Sequence, residues 1–125
     1  MNDDYQKNVF GEKLELCSNL PLTGWFRDGC CNTNDMDRGG HTVCAKVNNK
    51  FLLWLKKEGN DLITPNKEFE FAGLKDGDSW CICGSWYVKA VGEGYGCPIY
   101  LRKTNIRILE LIPINELKKF AIDLS

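Results

Sequence analysis

The chain reads as an α+β domain with a small antiparallel or mixed sheet, two or three short helices and long ordered loops. Three observations lead there. Helical and strand periodicities occur together in 125 residues, without the regular βαβ alternation of a doubly wound sheet. Turn-forming residues dominate two long connections, 17–42 and 60–79, through φ > 0 glycines and Asn/Asp side chains that bond their own backbone. Apolar residues make up 43% of the chain, enough at this length to build a core that needs neither disulfides nor metal to fold.

Taken in order, residues 1–7 are polar and are expected to form a disordered tail, with a single globular domain over 8–125. Residues 17–42 are loop-like, punctuated by Pro21, Gly24, Asp28-Gly29, Asn32 to Asp35 and Gly39-Gly40. Such a long irregular stretch is usually functional or disordered, and Trp25, Phe26 and the cysteines argue for burial. Thr42 to Val47 reads as a strand. Asn48 or Asn49 caps a helix over about 50–58, with Phe51, Leu52, Leu55 and Trp54 on its apolar side and Gly59-Asn60 as its stop. Trp80 to Cys83 is a strand or the lead-in to a helix over 84–92. Gly84, Gly92 and Gly94 weaken that helix by roughly 1 kcal/mol each. Ile99–Leu101 and Ile106–Leu111 read as two β segments around Lys103-Thr104-Asn105. A short helix follows Pro113, with Leu117, Phe120, Ala121 and Leu124 at helical spacing.

Charge excludes several partners. The formal net charge is −1 with both signs interspersed, so no basic stripe offers itself to nucleic acid. No apolar run reaches the roughly 18 residues of a membrane span. The acidic start, Met1-Asn2-Asp3-Asp4, lacks an export signal's apolar segment. A cytoplasmic location is therefore expected, and with it a reducing compartment where thiols stay free, bind metal or act chemically. Gly92-Glu93-Gly94-Tyr95-Gly96 follows no clear strand and lacks the P-loop lysine, so it is not a phosphate fingerprint.

Several segments are long and unusual: Pro21-Leu22-Thr23-Gly24-Trp25-Phe26-Arg27-Asp28-Gly29-Cys30-Cys31-Asn32-Thr33, His41-Thr42-Val43-Cys44-Ala45, Gly59-Asn60-Asp61-Leu62 with Thr64-Pro65, and Gly73-Leu74-Lys75-Asp76-Gly77-Asp78-Ser79-Trp80-Cys81-Ile82-Cys83. Together with Asn8-Val9-Phe10-Gly11 and Cys17-Ser18 they resemble the bacterial family called domain of unknown function 2237, over most of residues 8–112. The resemblance implies no particular activity. This chain has Ala72 where the family pattern has proline and Ser85 where it has arginine. Cys97 is peculiar to the chain, and the other six cysteines match the family.

Six of the seven cysteines and the one histidine form the distinctive constellation. The spacings are Cys30-Cys31, His41-x-x-Cys44 and Cys81-x-Cys83, with Cys17 alone. Cys81 and Cys83 face one side if they lie on a strand. One of Cys30 or Cys31, with His41 or Cys44, would complete four zinc ligands, although paired C-x₂₋₄-C knuckles are absent. Against zinc stand two other readings: buried inert thiols, and disulfide or redox chemistry. A vicinal Cys30–Cys31 bond is discounted because it strains the peptide. A thiol enzyme would use Cys30 or Cys31 with His41 as its base. Arg27, Asp28, Asn60 and Asp61 are ligand-binding candidates because polar residues on loops build binding sites. The tryptophans read as core. The leading expectation is a small binding module whose pocket, formed by loops 24–44 and 60–83, takes a metal or small ligand. The rivals are the thiol enzyme, and an interaction protein docking through exposed Trp and Phe. No catalytic residue and no oligomeric state is assigned.

Overall fold

The computed structural model describes residues 6–124. Strands β1 (His41–Lys46) and β2 (Ser79–Cys83) form a two-stranded antiparallel sheet, and helices α1 (Asn49–Glu58), α2 (Gly84–Gly92) and α3 (Ile114–Leu117) surround it, with short 3₁₀ turns between. The α+β expectation holds. Residues 1–5 of the expected tail lie outside the described residues. Its last two, Gln6 and Lys7, are held: the Gln6 side chain bonds Thr33 and Asn105, and the carbonyl of Lys7 accepts from the Ile106 amide.

The sheet's register decides what each face sees. Cys44 pairs directly with Cys81, Val43 with Ile82 and Ala45 with Trp80. Side chains alternate along a strand, so Val43, Ala45, Val47, Trp80 and Ile82 join the hydrocarbon core, whereas Cys44 and Cys81 join a separate cluster with Cys17 and Cys31.

α1 forms because its ends are satisfied and one side is apolar. The Asn48 side chain accepts from the Phe51 amide at 2.8 Å, and Gly59, at φ 109°, returns its amide to the carbonyls of Leu55 and Lys56. Phe51, Leu52, Trp54 and Leu55 are buried. α2 is also present, despite its glycines. Gly84 and Gly92 sit at its two ends, where the interior penalty does not apply, and Gly94 lies beyond it. Gly84 moreover fits where a Cβ would approach Ile108 Cδ1 to 2.8 Å. The buried Tyr87 hydroxyl closes the far side by donating to the Cys97 carbonyl at 2.6 Å.

The expected β segments at 99–101 and 106–111 are corrected. Leu101–Lys103 and Ile106–Glu110 are 3₁₀ turns. The Asn105 side chain accepts from the Arg107 amide, an Asx cap that starts a turn rather than a strand. The buried residues that follow, Ile108 and Ile112, stand four apart, which is a helical spacing. Asp123 holds the amides of Leu101 and Arg102 at 2.8 and 2.9 Å. Ile99 alone keeps a strand-like role, in single bridges to Ala45 and Ala121. At the C-terminus Leu117 is buried, whereas Leu124, expected on the same apolar side, is exposed.

Candidate functional site

Residues 17–33 contain no helix or strand. They are fixed at both ends to one rung of the sheet. Cys17 is bonded to Cys44 and Cys31 to Cys81, with Cα–Cα distances of 5.7 and 5.3 Å. Because Cys44 and Cys81 are cross-strand partners, both disulfides meet at the same place. Between them the loop is tied by the Thr23 hydroxyl, which accepts from the Cys81 amide at 2.8 Å, and by the amides of Cys17 and Ser18, which share the Gly29 carbonyl.

This loop and the 60–73 connection enclose one cavity of about 590 Å³. The first connection supplies Gly24, Trp25 and Arg27, and β1 supplies His41. The second supplies Asp61, Leu62, Thr64, Pro65, Asn66, Phe69 and Phe71, and β2 supplies Trp80 and Cys81. Two glycines make the walls possible. At Gly24 (φ 103°) a Cβ would collide with the Cys30 carbonyl, and at Gly73 (φ 85°) with the Ile63 carbonyl.

Arg27 is the cation of the pocket. Its guanidinium lies 5.0 Å from the Trp80 ring centroid, in cation–π range. Among the described residues it forms no ion pair with Asp28 or Asp61. Its backbone sits at φ 54°, a left-handed conformation that costs an L-residue about 1–2 kcal/mol and is enriched at ligand clamps.

His41 stacks on Trp25 with ring centroids 5.7 Å apart. Its Nδ1 lies 2.7 Å from Asp37 Oδ1. An ionised carboxylate only accepts, so Nδ1 carries a proton and donates to it. Asp37 also accepts from the His41 amide at 2.7 Å and the Thr33 hydroxyl at 2.9 Å. Burial pushes the Asp37 carboxyl up, but the bonds from His41 and Thr33 and the charge of His41 outweigh it and hold the group below the usual carboxylate range. Asp61 is held at about 2 by bonds from the Thr64 side chain and from the amides of Thr64 and Ile63, so it is a fixed anion at the pocket's edge.

Of the ligand candidates, Arg27 and Asp61 line the cavity. Asp28 instead accepts from the Cys30 amide and the Asn32 side chain, and Asn60 uses its amide to finish α1 by donating to Leu55. Trp25, expected in the core, is 43% exposed and serves as a pocket wall.

The thiols divide differently from the expected set. Cys44 is bonded to Cys17, which stands alone in the sequence spacing, and Cys31 is bonded to Cys81. Cys83 faces the Gly39 carbonyl and the Ser85 hydroxyl at 3.0 and 3.1 Å. No hydrogen bond joins His41 to Cys30 or Cys31 among the described residues. Burial pushes the Cys30 thiol up and the Asp28 charge adds to this, which disfavours the thiolate a nucleophile needs. Cys97 is buried and raised to about 12 by desolvation. Sequence reasoning missed Asp37 and the aromatic wall. Asp37 was signalled by the spacing Asp37-Arg38-Gly39-Gly40-His41, a glycine turn that returns the fifth residue to the first. Phe69 lies within a turn closed by Asn66 and Phe71, which carried no local signal.

The fold and site together define a small α+β domain with a closed sulfur cluster beside an aromatic-lined cavity that holds one cation and one anion. The family described as uncharacterized protein conserved in bacteria (DUF2237) matches residues 7–121, and the chain belongs to it. A comparison with curated proteins finds no match. Among the described residues no helix is long and apolar enough to cross a membrane.

Proposed function

We propose that this chain is a binding module for a small planar organic acid. The carrying observation is Arg27, strained and, among the described residues, in no ion pair with a carboxylate, standing over Trp80 inside an aromatic-walled cavity. A flat apolar body packs between Trp25 and the Phe71–Trp80 ring pair. The acidic group of the ligand meets the Arg27 guanidinium, whose planar fork suits carboxylate, sulfonate and phosphate. Asp61 accepts a hydrogen bond from a donor on the same molecule. A cavity of about 590 Å³ falls in the range of small-molecule sites.

The proposal also accounts for the exposed aromatic side chains better than docking to a protein does. Trp25 and Phe69 are exposed in the free protein, and both line the cavity. The paired Cys31 and the raised Cys30 speak against the thiol-enzyme alternative.

The fluorescent acid 8-anilinonaphthalene-1-sulfonate is a suitable probe, since it carries an aromatic body, a sulfonate and an N–H donor. It is expected to bind the folded protein once per chain. Arg27→Ala is expected to weaken it about tenfold, the loss of roughly 1.4 kcal/mol. Equal affinity in wild type and Arg27→Ala removes the proposal.

A further inference from the structure

We propose that Cys17, Cys31, Cys44 and Cys81 are a redox-dependent metal site: two disulfides when oxidised, and a closed tetrathiolate for zinc when reduced. The site adjoins the ligand cavity through Cys81 but does not rest on the ligand proposed there, and its ligand set differs from the one that sequence spacing suggests.

The geometry carries it. The sulfurs of Cys17, Cys31 and Cys81 lie within 4.8 Å of one another, and Cys44 is joined to Cys17. Zinc–thiolate bonds of about 2.3 Å at tetrahedral angles place ligand sulfurs about 3.8 Å apart. Cys44 lies outside that group of three and joins it through its bond to Cys17, so opening the two disulfides leaves three sulfurs already grouped and a fourth whose side chain must turn toward them. The four come from three separate stretches of chain, with Cys44 and Cys81 facing each other across the sheet. Structural zinc sites take four protein ligands with no open position, and these residues are all buried, from 0% to 6% exposed. Of the three remaining thiols, Cys83 is engaged by Gly39 and Ser85, Cys97 packs in the hydrocarbon core, and Cys30, beside Cys31, is removed in the test below.

The chemistry balances with a dithiol as reductant. Each protein disulfide takes two electrons and two protons from one dithiol, which closes to its own disulfide, so two dithiols convert the pair of S–S bonds to four thiols. Zinc then forms four Zn–S bonds and releases four protons to solvent, which makes binding tighter as pH rises. The switch leaves residues 17–31 anchored in both states, by covalent bonds in one and by the metal in the other.

Cobalt(II) is the probe, because tetrahedral thiolate coordination gives strong visible d–d bands and a near-ultraviolet charge-transfer band. The full chain is reduced with dithiothreitol, desalted without oxygen and titrated; protein that resists reduction is reduced in denaturant and refolded with cobalt present. One cobalt per chain with tetrahedral bands, displaced by zinc and absent from the oxidised protein, is the expected result. Cys30→Ser/Cys83→Ser/Cys97→Ser is expected to keep the bands and Cys17→Ser to lose or shift them. If reduced Cys17→Ser is unfolded, its failure to regain structure with cobalt while the triple variant does so counts for the site. Reduced protein with no tetrahedral bands, or bands lost in the triple variant and kept in Cys17→Ser, overturns the proposal.

Discussion

On one face of the β1–β2 ribbon Val43, Ala45 and Ile82 pack into hydrocarbon with Phe51, Leu55 and Tyr87, whereas on the other Cys44 and Cys81 are tied covalently to a connection that has no helix or strand. The first face is stabilised by burial, at roughly 25 cal/mol per Å² of apolar surface removed from water. The second has little aliphatic surface to bury. It is stabilised by cross-links that restrict the unfolded chain, and by side chain–backbone bonds such as Thr23 to Cys81. Regular structure thus forms where hydrocarbon is plentiful. The irregular side is free to present Trp25, Arg27 and His41 to a cavity, because its conformation is fixed by bonds rather than by packing.

The difference is testable on each face. Phe51→Ala is expected to have the largest effect, about 3–5 kcal/mol, as buried aromatic truncations do. The measurement is urea unfolding of the oxidised protein. A loss below about 1 kcal/mol would shift the weight of the fold to the sulfur face. Cys31→Ser/Cys81→Ser comes next. Its closure spans 50 residues, for which loop entropy gives about 4 kcal/mol as an upper figure. The remaining Cys17–Cys44 bond already shortens the open loop, so about 2–4 kcal/mol is expected. The variant should retain the far-ultraviolet signal of α1 and α2 while its affinity for the anilinonaphthalene probe drops, because Trp25 and Arg27 are then held at one end only. Loss of the helical signal together with the probe site would show that the two faces are not separable.

What was legible in the sequence follows the same division. α1 was readable because its cap, apolar spacing and glycine stop all lie within twelve residues. Thr42 to Val47 was readable as a strand, Trp80 to Cys83 only as a strand or the start of a helix, and the pocket's two connections from their turn residues. The turns at 101–103 and 106–110 were not, because Ile and Leu favour strands while the deciding bonds come from Asn105 and the distant Asp123. The disulfides were weighed only as one alternative, and their partners could not be named. Pairing Cys44 with Cys81 needs the strand register, and Cys17 and Cys31 reach that rung through a loop with no periodicity. Arg27, Asp28, Asn60 and Asp61 have the same local appearance as polar loop residues, and only Arg27 and Asp61 line the cavity. Only long-range contacts separate the two pairs.

The smallest expected effect concerns Asp37, which joins the irregular face to the cavity through His41. Its two oxygens accept three donors: the His41 ring, the His41 amide and the Thr33 hydroxyl. Asn in its place offers one accepting oxygen and a donor that faces donors, so Asp37→Asn is expected to cost about 1–3 kcal/mol near neutral pH. The folded carboxyl binds its proton less readily than the ordinary value of 3.8. The ionised group therefore contributes fully above that value, and the contribution is lost as pH falls through the folded-state pKa. Unfolding free energies of wild type and variant should then differ most near neutrality and converge in acid. Parallel curves down to the acid limb would mean that the carboxylate's charge is not what holds His41 against Trp25, and that the neutral amide does the same work.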